Sequence, residues 1–159
     1  MVLGLSVHAF TLLHVAISLV AIGAGLVFFV ALSRGRWLGT INTVFLVFTI
    51  LTSVTGFLFP PKPIGPPHIF GAVSLVLLAV ALYALYGAKL GGGWRRVYLG
   101  TTLIAQWLNM VVLVVQSYQK IPALHALAPT GAEPAVLLSQ TVVLIAVAAA
   151  AWMTLRRRA

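Results

Sequence analysis

Five apolar runs separated by short loops constrain the fold of this chain more than any other feature. They cover about residues 7–32, 37–59, 67–86, 94–118 and 134–155. A helix needs about 20 mostly apolar residues to cross a hydrocarbon core of about 30 Å. Because backbone polar groups in lipid need partners within their own segment, each run is predicted to be helical. The sequence therefore predicts an all-α, polytopic membrane protein with five transmembrane helices in one bundle, forming a single domain.

Composition agrees with this fold class. Charged residues make up 7% of the chain, whereas soluble domains carry about 25%. The net charge of +9 is of the size found in nucleic-acid-binding domains. Here the basic residues lie in short clusters between apolar runs, so the expected partner is the lipid bilayer and not nucleic acid. The chain has no cysteine, which excludes disulfides, thiolate metal sites and haem attached through C-x-x-C-H.

The distribution of basic residues predicts the orientation, because lysine and arginine favour the cytoplasmic side. One set of helix ends carries two of them, Lys62 and Lys120. The other set carries eight, namely Arg34, Arg36, Lys89, Arg95, Arg96, Arg156, Arg157 and Arg158. The amino terminus is therefore predicted to lie outside and the carboxyl terminus in the cytoplasm. Trp37 and Trp94 are expected to be interfacial anchors on the cytoplasmic side.

All four histidines fall on the predicted outer side. His8 begins the first helix, His14 lies about two turns deeper, His68 opens the third helix and His125 lies in the second outer loop. The only acidic side chain, Glu133, lies in the same loop. A histidine inside a membrane helix is costly unless it is paired, so His14 is the strongest candidate for a functional residue.

Uncharged polar residues form stripes on several predicted helices. Examples are Thr11, His14 and Ser18; Thr49, Thr52 and Gly56; Gln106, Asn109 and Gln116; and Ser139, Gln140 and Thr141. Because a polar side chain in lipid has no partner, these stripes are expected to face one another and to form a polar pocket in the outer half of the bundle. The alternative is ordinary helix packing, in which such residues bridge neighbouring helices.

Three kinds of cofactor fit these residues. A b-type haem could be ligated axially by His14 and His68, or by His8 and His68, although His14 is predicted to lie deeper than His68. A metal ion could be held at the outer surface by His8, His68, His125 and Glu133, since imidazoles suit copper and zinc. A quinone or other small hydrophobic ligand could be held by His14, Gln106 and Asn109.

No catalytic signature accompanies these residues. Ser18, Ser53 and Ser139 have no nearby acid that would complete a hydrolytic triad. Apart from Arg95 and Arg96 at its cytoplasmic end, the inner half of the predicted bundle has no charged residue within its helices, which argues against a proton path. The expected function is a redox-associated or ligand-binding membrane protein with a histidine-containing pocket. The alternative is a non-catalytic accessory or scaffold subunit of a larger membrane complex, or a homo-oligomer.

Three stretches resemble a family of small hypothetical bacterial inner-membrane proteins. They are Thr52-Ser53-Val54-Thr55-Gly56-Phe57-Leu58-Phe59-Pro60, Pro67-His68-Ile69, and Val115-Gln116 through Lys120-Ile121-Pro122-Ala123-Leu124-His125-Ala126-Leu127-Ala128-Pro129. The resemblance covers most of the chain from about His14 onward. It implies a bacterial inner membrane and a periplasmic outer face, and it implies no activity, cofactor or catalytic residue.

Overall fold

The computed structural model describes residues 1–60 and 65–156. The helices are α1 (Val7–Ser33), α2 (Gly39–Phe57), α3 (Pro66–Leu82), α4 (Trp94–Lys120), α5 (Pro122–His125) and α6 (Pro134–Arg156), and α3 continues into a π-helical turn, Tyr83–Gly87. The only extended pairing within the described ranges is an isolated bridge between Val2 and Leu5. The predicted all-α fold is confirmed. Lys62, Arg157 and Arg158 lie outside the described residues.

All five predicted spans are helices that are long and apolar enough to cross a membrane, with ends within two residues of those predicted. The largest difference is at α2, which begins at Gly39 and ends at Phe57. The proline at position 60 explains the early end, since the residue before a proline is pushed out of the α region. The segment between the last two spans contains the short helix α5, which has a proline in its first turn.

Helices α1 to α4 form a bundle in which each helix packs against the next and α4 also contacts α1. Helix α6 packs against α4 and α1 from outside this group of four. Only two of its residues, Val136 and Thr154, are buried. The five spans therefore form one bundle, as predicted, with α1 to α4 at its centre and α6 at its periphery.

The two ends of the bundle differ in chemistry. The arginine end is formed by loops 34–38 and 88–93 and by the last turn of α6; the histidine end is formed by residues 1–6, 58–60, 65 and 121–133. The main hydrophobic core lies toward the arginine end and includes Phe28, Phe45, Leu78, Tyr98 and Leu99. Within it the Tyr98 hydroxyl donates a hydrogen bond to Asn42 Oδ1, joining α4 to α2.

Candidate functional site

His14 is held in place by Thr55, which lies on the neighbouring helix α2. His14 Nδ1 is 2.7 Å from Thr55 Oγ1, and the same hydroxyl is 2.7 Å from the Leu51 carbonyl oxygen one turn earlier. The hydroxyl has a single proton, and we assign it to the bond with Leu51. His14 Nδ1 then carries a proton and donates it to Thr55, because a neutral imidazole has one donor and one acceptor nitrogen. The Nε2 lone pair is left as an acceptor.

One aromatic side chain packs against the same ring. The edge of Phe59 meets the His14 ring with centroids 5.2 Å apart and planes at 89°. Phe59 in turn contacts the fully buried Phe10, with centroids 4.9 Å apart. On another side the imidazole lies beside Gly56, where an added Cβ would make an ordinary contact, 3.8 Å from His14 Cε1. The imidazole is therefore positioned by one hydrogen bond and by apolar contacts.

His14 lies closer to the histidine end of the bundle than its place along α1 suggests. It lies seven residues after Val7, where α1 begins, which is about 10 Å along the helix axis. Its partner Thr55, however, belongs to the last turn of α2, which ends at Phe57. Helix α1 thus extends past α2 at the histidine end, and His14 lies near the edge of the bundle, half-buried.

A second polar group lies deeper and centres on Gln106. This side chain is only 2% exposed, and its Nε2 donates to the Ile22 carbonyl oxygen at 3.2 Å. Its Oε1 is buried and has no hydrogen-bond partner among the described residues. Because Ile22 is eight residues beyond His14, the two groups are separated by about 12 Å along α1.

Asn109 belongs to this deeper group. Its Nδ2 donates to Thr49 Oγ1 at 3.4 Å, linking α4 to α2. Thr52 lies one turn from Thr49 toward the histidine end, and its hydroxyl oxygen is buried with no partner in the described part of the chain. The predicted single site for His14, Gln106 and Asn109 is therefore divided into two groups, with Thr52 between them on α2.

The polar stripes do not all face inward as predicted. Thr11, Gln116 and Thr141 are exposed, and the hydroxyls of Thr11 and Thr141 donate to carbonyl groups of their own helices. Gln140 is partly buried, and its Nε2 donates to the Val111 carbonyl oxygen on α4 at 3.1 Å. For Thr11, Gln140 and Thr141, helix packing and local hydrogen bonds account for the pattern.

His68 and His14 contact opposite faces of α2. The His68 ring lies against Phe57, with centroids 6.0 Å apart, and its Nδ1 accepts a hydrogen bond from the Gly65 N–H at 3.4 Å. Thr55 and Phe57 are two residues apart, which is about 200° around a helix. The structure therefore does not bring His14 and His68 together as the predicted pair of haem ligands.

The remaining predicted ligands lie at the surface. His8 and His125 are exposed. Glu133 Oε1 accepts hydrogen bonds from the N–H and the hydroxyl of Thr130, both at 2.9 Å, and the backbone hydrogen bond lowers the pKa of Glu133 below its usual range. Among the described residues no three side chains of His, Cys, Asp or Glu are close enough to hold a metal ion. The predicted convergence of His8, His68, His125 and Glu133 is not found there.

Sequence reasoning missed the aromatic residues around His14. Phe10 is four residues before His14 in α1, so the two share a helix face, and this spacing was the available signal. Phe59 follows the end of α2, so no helical periodicity in the sequence pointed to its contact with His14. The partner of Gln106 is a backbone carbonyl, which no side-chain pattern could indicate.

Comparisons with protein-family models, with curated proteins and with solved structures find no match. The five apolar helices decide the broad class. This chain is a multi-pass membrane protein. Its family resemblance and its bacterial origin remain predictions.

Proposed function

We propose that this multi-pass protein lies in a bacterial inner membrane with its histidine end facing the periplasm, and that it binds a small amphiphilic ligand carrying a hydroxyl group. A reduced quinone, or quinol, is the ligand class that fits best. The observation that carries the proposal is the His14–Thr55 hydrogen bond, which fixes the imidazole. With the proton assigned to Nδ1, Nε2 is an acceptor.

The surroundings of His14 match the chemistry of such a ligand. An imidazole acceptor pairs with a hydroxyl proton, and Phe59 offers an apolar ring beside it. Thr52 lies three residues from Thr55 on the same face of α2, about 4.5 Å further into the bundle. Its hydroxyl oxygen is buried without a hydrogen-bond partner in the described part of the chain, so a head group that displaced the packing around it would gain a second polar contact. A head group with two oxygens would use both, while its apolar tail remains in lipid.

The test is binding of a short-chain benzoquinol to the purified protein, measured by titration calorimetry in detergent under anaerobic conditions. His14→Ala is expected to weaken binding about tenfold, because one buried hydrogen bond contributes roughly 1–1.5 kcal/mol. His8→Ala is the matched control, since His8 is exposed on the same helix and its removal should leave affinity unchanged. Equal binding to the wild type and to His14→Ala would overturn the proposal.

A reduced-minus-oxidised absorption spectrum of the same sample separates quinol binding from haem binding. A flat spectrum is expected. A sharp α-band that disappears in His14→Ala would replace the quinol with a haem held through Nε2, since a ligating histidine commonly donates its other ring N–H to a neighbouring acceptor.

A non-catalytic accessory role is the second candidate, and the peripheral position of α6 favours it. The exposed face of this helix has only a shallow, open depression, lined by Pro134, Ala135, Leu137, Leu138 and Thr141. The chain has no native cysteine, so Leu138→Cys permits crosslinking in membranes from one defined position. Under this candidate function the variant crosslinks to one partner protein, and His14→Ala leaves that crosslink unchanged.

A further inference from the structure

The arginine end carries a set of cationic side chains. Six lie within the described residues: Arg34, Arg36, Lys89, Arg95, Arg96 and Arg156. All are exposed except Arg95, which is half-buried and already makes an interaction within the protein. The one acidic side chain in the sequence, Glu133, is at the opposite end and is hydrogen-bonded to Thr130. Neutralising charge must therefore come mainly from outside the protein.

Two helices, α2 and α4, begin at this end and add partial positive charge to it. The amino terminus of a helix carries partial positive charge, and cations placed there are destabilising. Helix α4 begins at Trp94 with Arg95 and Arg96 in its first turn, with no acidic residue there and no side-chain cap from Gly93. Helix α2 also begins here without an acidic residue or a side-chain cap. A phosphate group near these starts would interact favourably with both the arginines and the helix dipoles.

Aromatic side chains show the depth at which these cations lie. Trp37, Trp94 and Trp152 are all at the arginine end, and each is at least 38% exposed. Such residues concentrate at the level of lipid head groups. The guanidinium of Arg156 lies 3.6 Å from the centre of the Trp152 ring, and Trp94 contacts Tyr83 with ring centroids 5.0 Å apart. Arg156 is thus held beside an interfacial ring at the level where lipid phosphates occur.

We propose that the arginine end is a binding surface for anionic phospholipid head groups. Arg34 and Arg36 in the α1–α2 loop provide one group of contacts, and Lys89 and Arg96 beside the start of α4 provide another. The aromatic side chains place these cations next to phosphates that are anchored by acyl chains. This geometry favours a lipid over a soluble anion. The proposal is independent of ligand binding at His14, which is at the other end of the bundle.

The experiment uses the full chain purified in a zwitterionic detergent, to which phosphatidylglycerol or phosphatidylcholine is added and binding is measured by native mass spectrometry. Phosphatidylglycerol should bind more tightly than phosphatidylcholine. The variant Arg34→Gln/Arg36→Gln should weaken phosphatidylglycerol binding by about 25-fold, since each cation near a membrane surface contributes roughly fivefold in affinity. Lys120→Gln, an exposed lysine at the histidine end, is the matched control and should change nothing.

Two results would overturn the proposal. One is equal binding of the two lipids to the wild type together with no effect of Arg34→Gln/Arg36→Gln. The other is competition by inorganic phosphate at millimolar concentration that removes phosphatidylglycerol completely, because the site would then be one for a soluble anion. Thermal unfolding of the variant without added lipid should match that of the wild type, which distinguishes lost lipid contacts from misfolding.

Discussion

At Gly25 the lack of a side chain provides the space in which the Gln106 amide lies. A Cβ at this position would be 2.2 Å from Gln106 Oε1 and 2.9 Å from Phe45 Cδ2. The amide cannot simply move aside, because it is buried and donates to the Ile22 carbonyl. We therefore expect Gly25→Ala to lower the free energy of unfolding by about 1–3 kcal/mol, the usual cost of overpacking a core. Chemical unfolding in mixed micelles measures this difference.

Gly23 gives the matched control for that substitution. It is on the same helix, and a Cβ there would meet no atom within 4 Å. Gly23→Ala should therefore be neutral or slightly stabilising, by up to about 1 kcal/mol, because alanine is the better helix former. Combining Gly25→Ala with Gln106→Ala should recover part of the loss. If Gly25→Ala is as stable as Gly23→Ala, Gln106 does not approach α1 as closely as described.

At the scale of the helices, the apolar runs made the number of spans and their ends predictable. Five spans were predicted within two residues of their ends, because hydrocarbon thickness and the satisfaction of backbone hydrogen bonds restrict the alternatives. The rotation of each helix about its axis was not predictable in this way. It depends on contacts between helices, such as Gln106 against Gly25. Hence the sequence identified His14 as notable but grouped it with the more distant Gln106.

The grouping of the candidate ligands was likewise not predictable from the apolar runs. Four histidines on one side of the membrane suggested a shared site, yet α2 separates His14 from His68. Sequence position also overstated the depth of His14, because α1 extends past α2 at the histidine end. The relative axial positions of neighbouring helices follow from side-chain packing, which hydropathy does not describe.

The loop before α6 has a pH-dependent element in Glu133. Hydrogen bonds from Thr130 stabilise the ionised carboxylate and lower the pKa of Glu133 below 4.5, its usual value. A carboxyl whose pKa is depressed by folding stabilises the folded state fully above its unfolded pKa, and this contribution is lost as the pH falls through the lower, folded pKa. We expect acidification below about pH 4.5 to release this loop, raising its rate of proteolysis in reconstituted vesicles.

Glu133→Gln is the matched variant, since glutamine keeps the shape and loses the charge. At neutral pH it should be cleaved faster than the wild type between positions 129 and 134, and at low pH the two should converge. If the cleavage rates of the wild type and the variant differ by the same factor at every pH, the carboxylate charge does not stabilise the start of α6.

For the whole molecule, the separation of charge is expected to determine how the bundle is oriented in the membrane. The arginine end holds eight basic residues by sequence and the histidine end two, and short loops with excess lysine and arginine remain cytoplasmic. A reporter that is active only in the cytoplasm should therefore function when fused after Ala159. A reporter that is active only in the periplasm should function when inserted after Thr130.

The orientation is also expected to respond to changes in charge at the two ends of the bundle. Replacing Arg34, Arg36, Arg95 and Arg96 by glutamine leaves four basic residues at the arginine end, and lysines introduced at Gln116 and Gln119 raise the histidine end to four. With no charge difference between the ends, the two reporters should show a mixed population of both orientations. A variant that keeps one orientation would show that another property of the chain, such as the tryptophans at the arginine end, determines its insertion.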